Sequence, residues 1–123
     1  MTRLLYDLCA TGDQRFSPYC WRAKLALRHK GLDYETVPVR FSDKHKIAFS
    51  GQDKMPVLDD GGTVVFDSFA IAEYLEAAYP EAPSLFPGAN GRQLARMTND
   101  WADGIHRELL SFVVYDIYGR LQV

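Results

Sequence analysis

Cysteine is scarce in this chain: Cys9 and Cys20 stand alone among 123 residues, too few for the disulfide framework of a small secreted scaffold. With His29, His45 and His106 they show none of the close spacings of zinc ligands. A marked excess of either charge is also missing. Fourteen basic residues meet sixteen acidic ones, for a net charge of −2, so nothing in the balance provides the clustered basic face that nucleic acid requires. No apolar run approaches the ~20 residues that span a bilayer. The opening Met1-Thr2-Arg3-Leu4-Leu5-Tyr6-Asp7 has neither the apolar stretch nor the small-residue cleavage pattern of a secretory leader. These absences predict a cytoplasmic protein that engages neither membrane nor nucleic acid. No Gly-x-Ser-x-Gly elbow surrounds Ser17, which argues against a serine hydrolase.

What is present is well punctuated. Arg3 to Leu8 reads as a strand that runs into the polar stretch Thr11-Gly12-Asp13-Gln14. A helix follows from Pro18 to Lys30, with Ser17 as N-cap, Pro18 where a missing N–H costs nothing, and Gly31 as the stop. Tyr34 to Val39 is a strand whose Pro38 places it at a sheet edge. Phe41 to Asp53 reads as a loop with at most a short irregular helix. Pro56–Asp59 and Thr63–Phe66 form an antiparallel hairpin about Asp60-Gly61-Gly62. Ser68 then caps a helix with Ile71, Tyr74, Leu75, Ala78 and Tyr79 inward, Glu73 and Glu76 outward, and Pro80 at its close. The order βαβ, loop, ββα predicts an α/β domain over residues 1–80. Residues 81–91, rich in proline and glycine, predict a linker. Residues 92–123 open a helical region: Arg92 to Tyr118 carries Leu94, Met97, Trp101, Ile105, Leu109, Phe112 and Val113 at helical spacing, a stripe that needs a partner surface.

The chemistry concentrates at Phe16-Ser17-Pro18-Tyr19-Cys20, where a hydroxyl and a thiol sit three residues apart at a helix opening. Exposed N–H groups there favour an anion by ~0.3–1 kcal/mol, and by up to ~2 kcal/mol when partly buried. Serine in place of the first cysteine of a Cys-x-x-Cys pair disfavours disulfide exchange. On these residues alone Ser17 is a plain N-cap, Cys20 a small buried residue, Cys9 core, and His106 a helix-surface residue. Trp101 and Tyr115 are core or interface. Phe16 and Tyr19 either border a ligand or cover the loop.

Ser17-Pro18-Tyr19-Cys20, then Lys54-Met55-Pro56-Val57-Leu58, then Asp67-Ser68 before a helix resemble the glutathione transferase superfamily. Within it, Ser17 to Gly31 is most similar to the serine-type, β-etherase-like branch. The resemblance implies a thioredoxin-like domain at 1–80 followed by the first helix of an all-α C-terminal domain, incomplete at 92–123. It implies glutathione as co-substrate, with Ser17 donating a hydrogen bond to its sulfur. Met55, before a cis Pro56, would meet the cysteinyl backbone. Asp67 would attract the ammonium, Ser68 would hold the γ-glutamyl carboxylate, and Lys54 would pair with the glycyl carboxylate. Many members carry Glu at the place of Asp67, so the reach to the ammonium changes. The thiolate would attack a small, largely apolar electrophile, aryl-ether cleavage being one reaction, in a homodimeric enzyme. Two other readings stand beside this: an oxidoreductase using Cys20, and a non-catalytic glutathione-binding or dimerising module.

Overall fold

The computed structural model describes residues 2–121, with side chains as far as residue 112. In chain order come β1 (Arg3–Leu8), α1 (Pro18–His29), β2 (Glu35–Val39), a 3₁₀ segment (Phe41–Ser50), β3 (Val57–Asp60), β4 (Thr63–Phe66), α2 (Ser68–Ala78) and α3 (Gly91–Leu121). The sheet order is β2-β1-β3-β4. β1 and β2 run parallel, joined through α1, while β3 is antiparallel to both β1 and β4. This is the expected βαβ-ββα arrangement, with the Pro38 strand at an edge. The tight turn falls at Gly61 and Gly62, both with positive φ, the conformation that glycine adopts without a Cβ clash.

Strand alternation sets the layers. Leu5 and Asp7 of β1 are fully buried, and with Leu5 the α1 residues Ala23 and Leu27, Leu58 of β3, and Ile71 and Leu75 of α2 form the main core. On the opposite face Val39, Ile47 and Val57 make a smaller cluster against Tyr6 and Met55. That second cluster explains the main departure in secondary structure. The weakly patterned stretch is a ten-residue 3₁₀ segment kinked at Asp43, held by its one buried residue, Ile47.

Two expectations at α2 are corrected. Its cap is Asp67, whose side chain accepts the Ala70 N–H at 3.0 Å, and Ser68 is the first helical residue. A carboxylate is as good a cap as a hydroxyl, and the chain turns one residue earlier. Glu76 does not face solvent alone: it pairs with buried Lys30 and accepts from Ser84 Oγ at 2.5 Å and from the backbone N–H groups of Leu85 and Phe86 at 3.1 and 3.0 Å. It thereby fastens the stretch before α3 to α1 and α2.

The α3 stripe, expected to need a partner surface, is largely exposed among the described residues. Leu94, Met97, Trp101, Leu109 and Phe112 are exposed, Trp101 by 69%, so Trp101 is not core; Val113 and Tyr115 lie outside the described side chains. α3 meets the sheet domain through another face, spaced by three and four. Arg92 pairs with Glu73 at 2.6 Å, Arg96 lies 4.8 Å over the Phe69 ring, and Asn99 and Asp103 accept from Arg22 at 3.0 and 2.7 Å. This docking leaves Leu94, Met97 and Trp101 uncovered.

Candidate functional site

Ser17 sits where the loop from β1 becomes α1. It is 6% exposed, and its Oγ accepts the Cys20 N–H at 3.3 Å. A hydroxyl that accepts at a cap still has its own proton to give. That proton is positioned at a helix N-terminus, where backbone dipoles favour negative charge.

The approach to Ser17 is held by charge. Fully buried Asp7 pairs with Lys24 of α1 at 2.5 Å and with Arg15 of the loop at 2.9 Å. Arg15 also donates to Asp13 at 2.8 Å and to Thr36 at 3.0 Å, and its carbonyl accepts the Trp21 indole N–H at 2.9 Å. Removing Asp7 from such a buried set costs about 3–5 kcal/mol, because buried Lys24 then loses its counter-ion. Neither composition nor spacing flagged this network. An acidic residue toward the end of a mostly apolar strand, with a lysine in the next helix, was its only trace.

Burial pushes the Cys20 thiol up to about 11, against the opposing effects of the Leu8 backbone and the Ser17 hydroxyl. Only about one molecule in ten thousand carries that thiolate at pH 7. Cys9 is buried too, and burial likewise raises its thiol. Among the described residues no group of histidines, cysteines and carboxylates is placed to hold a metal.

Ser17 and Met55 line one cavity of about 380 Å³. Its walls include Phe16, Tyr19 and Phe41, and α3 closes it with His106, Leu109 and Leu110. Phe16 and Tyr19 therefore border a ligand-sized space. The α3 contribution escaped the sequence analysis, although 106, 109 and 110 share one helical face; His106 belongs to the cavity wall. The Met55-Pro56 bond is cis, and Pro56 is buried behind half-exposed Met55.

The remaining expected residues lie apart from that cavity. Asp67 is exposed and Ser68 buried, and Ser68 opens onto a separate groove of about 390 Å³ with Arg22, Phe69 and Asn99. Asp67 has φ 70° and ψ 128°, a region costly for any residue with a side chain, by about 1–3 kcal/mol. Lys54 is exposed and does not line the cavity. The structure thus brings Ser17 and Met55 together on one cavity, sets Asp67 and Ser68 at the N-terminus of α2, and leaves Lys54 in solvent.

Residues 16–78 match the family profile of the glutathione S-transferase N-terminal domain. Glutathione S-transferase Z1 of Arabidopsis thaliana is 46% identical over 71 residues, 52% of this chain and 31% of that protein. A probable glutathione S-transferase, GSTU1, of Oryza sativa subsp. japonica is 34% identical over 113 residues, 85% of this chain and 47% of that protein. Among solved structures, a glutathione S-transferase of Ceriporiopsis subvermispora in complex with glutathione superposes with a TM-score of 0.74 at 28% identity, over 89% of this chain and 49% of that one. The chain spans less than half the length of these relatives. Sequence, fold and the serine at the opening of α1 agree: this chain belongs to the glutathione S-transferase family.

Proposed function

We propose that the chain binds glutathione along the edge formed by α1, the Met55-Pro56 corner and α2, and that it directs the thiolate into the cavity beside Ser17. The observation that carries this reading is the convergence of the Ser17 hydroxyl and Met55 on one apolar cavity. A serine hydroxyl at a helix N-terminus stabilises a sulfur anion, and the apolar walls suit a carbon electrophile. Ser17 donates to the sulfur, and Met55, ahead of Pro56, pairs with the cysteinyl backbone. Asp67 draws the ammonium, Ser68 and the first α2 N–H groups hold the γ-glutamyl carboxylate, and Lys54 reaches the glycyl carboxylate. Glutathione bound in the Ceriporiopsis subvermispora relative supports this choice of ligand.

The reaction class is transfer of the glutathione sulfur to an electrophilic carbon of a small apolar substrate, aryl-ether cleavage included, with residues 1–80 as the binding domain, 81–91 as linker and 92–123 as the start of a helical domain. A second copy of the chain as partner is supported by the exposed apolar side chains of α3, and a cytoplasmic setting by the reduced thiols Cys9 and Cys20. The rival use of Cys20 as a redox nucleophile is opposed by its burial and its raised thiol.

Calorimetric titration with glutathione tests the binding reading. The Asp67→Gly variant should bind about 10–100-fold more weakly, since a hydrogen-bonded charge contributes ~1.5–3 kcal/mol. Its stability should stay within about 1 kcal/mol of wild type, because glycine relieves the φ and caps almost as well. Equal affinity in the two proteins would remove Asp67 from the site.

A further inference from the structure

His106 lines the Ser17 cavity and has no task in the reading above. Its ring packs edge-on to Tyr19, centroids 5.1 Å apart at 82°. Tyr19 is itself held from the other side: the Arg22 guanidinium lies 4.7 Å over its ring and pairs with Asp103 of α3, whose carboxylate lies near the Tyr19 hydroxyl. The imidazole is therefore seated by a chain of contacts between α1 and α3, and its neighbours at 109 and 110 along that helix face are leucines.

The polar side chains of the cavity wall have separate uses. Ser17 is assigned to the sulfur and the Tyr19 hydroxyl to Asp103, which leaves the imidazole. A ligand that fills this cavity displaces water from His106, and a buried donor without a partner is costly. A hydrocarbon ligand pays that cost, whereas one with an oxygen at the right place does not.

We propose that His106 selects the second substrate: an aromatic electrophile that carries an oxygen next to the reacting carbon, to which the imidazole N–H donates. This rests on the reading of the cavity as the place where the glutathione sulfur meets its partner. With an aryl ether, the sulfur–carbon bond forms as the carbon–oxygen bond breaks, and the electron pair leaves on oxygen. The imidazole N–H donates to that oxygen as charge builds on it, and the oxygen takes its proton from solvent, which took up the proton of the glutathione thiol.

The test uses the chain with two near-isosteric probes, 4-nitrophenol and 4-nitrotoluene, followed by calorimetry and by the imidazole NMR signals. Wild type should bind the phenol about tenfold more tightly than the toluene and shift the His106 signals. His106→Phe, which keeps an aromatic ring against Tyr19, should bind both probes equally, and His106→Gln, which keeps an N–H donor, should restore part of the preference. An unchanged preference in His106→Phe, or binding of both probes with the His106 signals unmoved, would overturn the assignment, as would failure of either probe to bind. Glutathione is titrated separately: absence of its binding alongside a His106-dependent preference would sink the transferase reading and leave this one standing.

Discussion

At the scale of single residues, the Ser17 oxygen accepts the Cys20 N–H at 3.3 Å and keeps its proton for a ligand, so capping and ligand binding are compatible. The cap role was legible because Ser-Pro before an amphipathic run is a local signal. The ligand role remains the proposal that the Met55-Pro56 and Asp67-Ser68 blocks support through their resemblance. Cys20, three residues on, is buried with its thiol pushed up to about 11. Burial there outweighs the Leu8 backbone and the Ser17 hydroxyl, so the thiolate is disfavoured. Cys20→Ser should therefore leave glutathione affinity within about twofold of wild type, read by calorimetry, and a loss of tenfold or more would restore the redox reading.

At the scale of elements, strands and helices with strong punctuation were read from the sequence to within a residue or two: β1, α1 with Ser17 and Gly31 at its ends, the glycine hairpin, and α2. What was missed depends on contacts between distant segments. The 3₁₀ segment exists because Ile47 finds the second core cluster, which no local pattern announces. The cavity wall on α3 exists because Arg22, Tyr19 and Asp103 dock that helix, and the sequence offers only unremarkable polar residues at those places. Glu76 was read as an outward charge, yet it binds segments on both sides of it.

That clamp has a pH signature. Burial alone would raise the Glu76 carboxyl, but Lys30, Ser84 and the Phe86 and Leu85 N–H groups hold it down at about 2. A folded-state value below the unfolded one adds stability above the unfolded value and loses it as pH falls through the folded one. The contribution is therefore complete above about pH 5 and disappears between the ordinary carboxylate range and about pH 2. Glu76→Gln should be less stable than wild type at neutral pH, with a shallower loss below pH 5 in denaturant titrations. Parallel pH profiles would show that the carboxylate does not fasten this segment.

At the scale of the whole molecule, two surfaces dominate. One is the edge where α1, the Met55-Pro56 corner and α2 present their polar groups, next to an apolar cavity that α3 closes. The other is the exposed stripe of Leu94, Met97 and Trp101. An apolar face of that kind marks an interaction surface. The fold was readable because element order, glycine positions and helix caps point to one topology, and the family because three ordered blocks, at Ser17, Met55-Pro56 and Asp67-Ser68, resemble it. The docking of α3 was not, because its apolar stripe attracts the eye while its polar face makes the contacts.

The central claim is that Ser17 lowers the pKa of a bound glutathione thiol. Its most direct test is ultraviolet thiolate absorbance of bound glutathione against pH, in wild type and in Ser17→Ala. A hydrogen bond to the sulfur anion is worth ~1.5–3 kcal/mol, or about one to two pKa units. The account predicts a bound thiol well below its free value of ~8.5 and an upward shift of that size in the variant, with glutathione still bound. Identical titrations in the two proteins would contradict it.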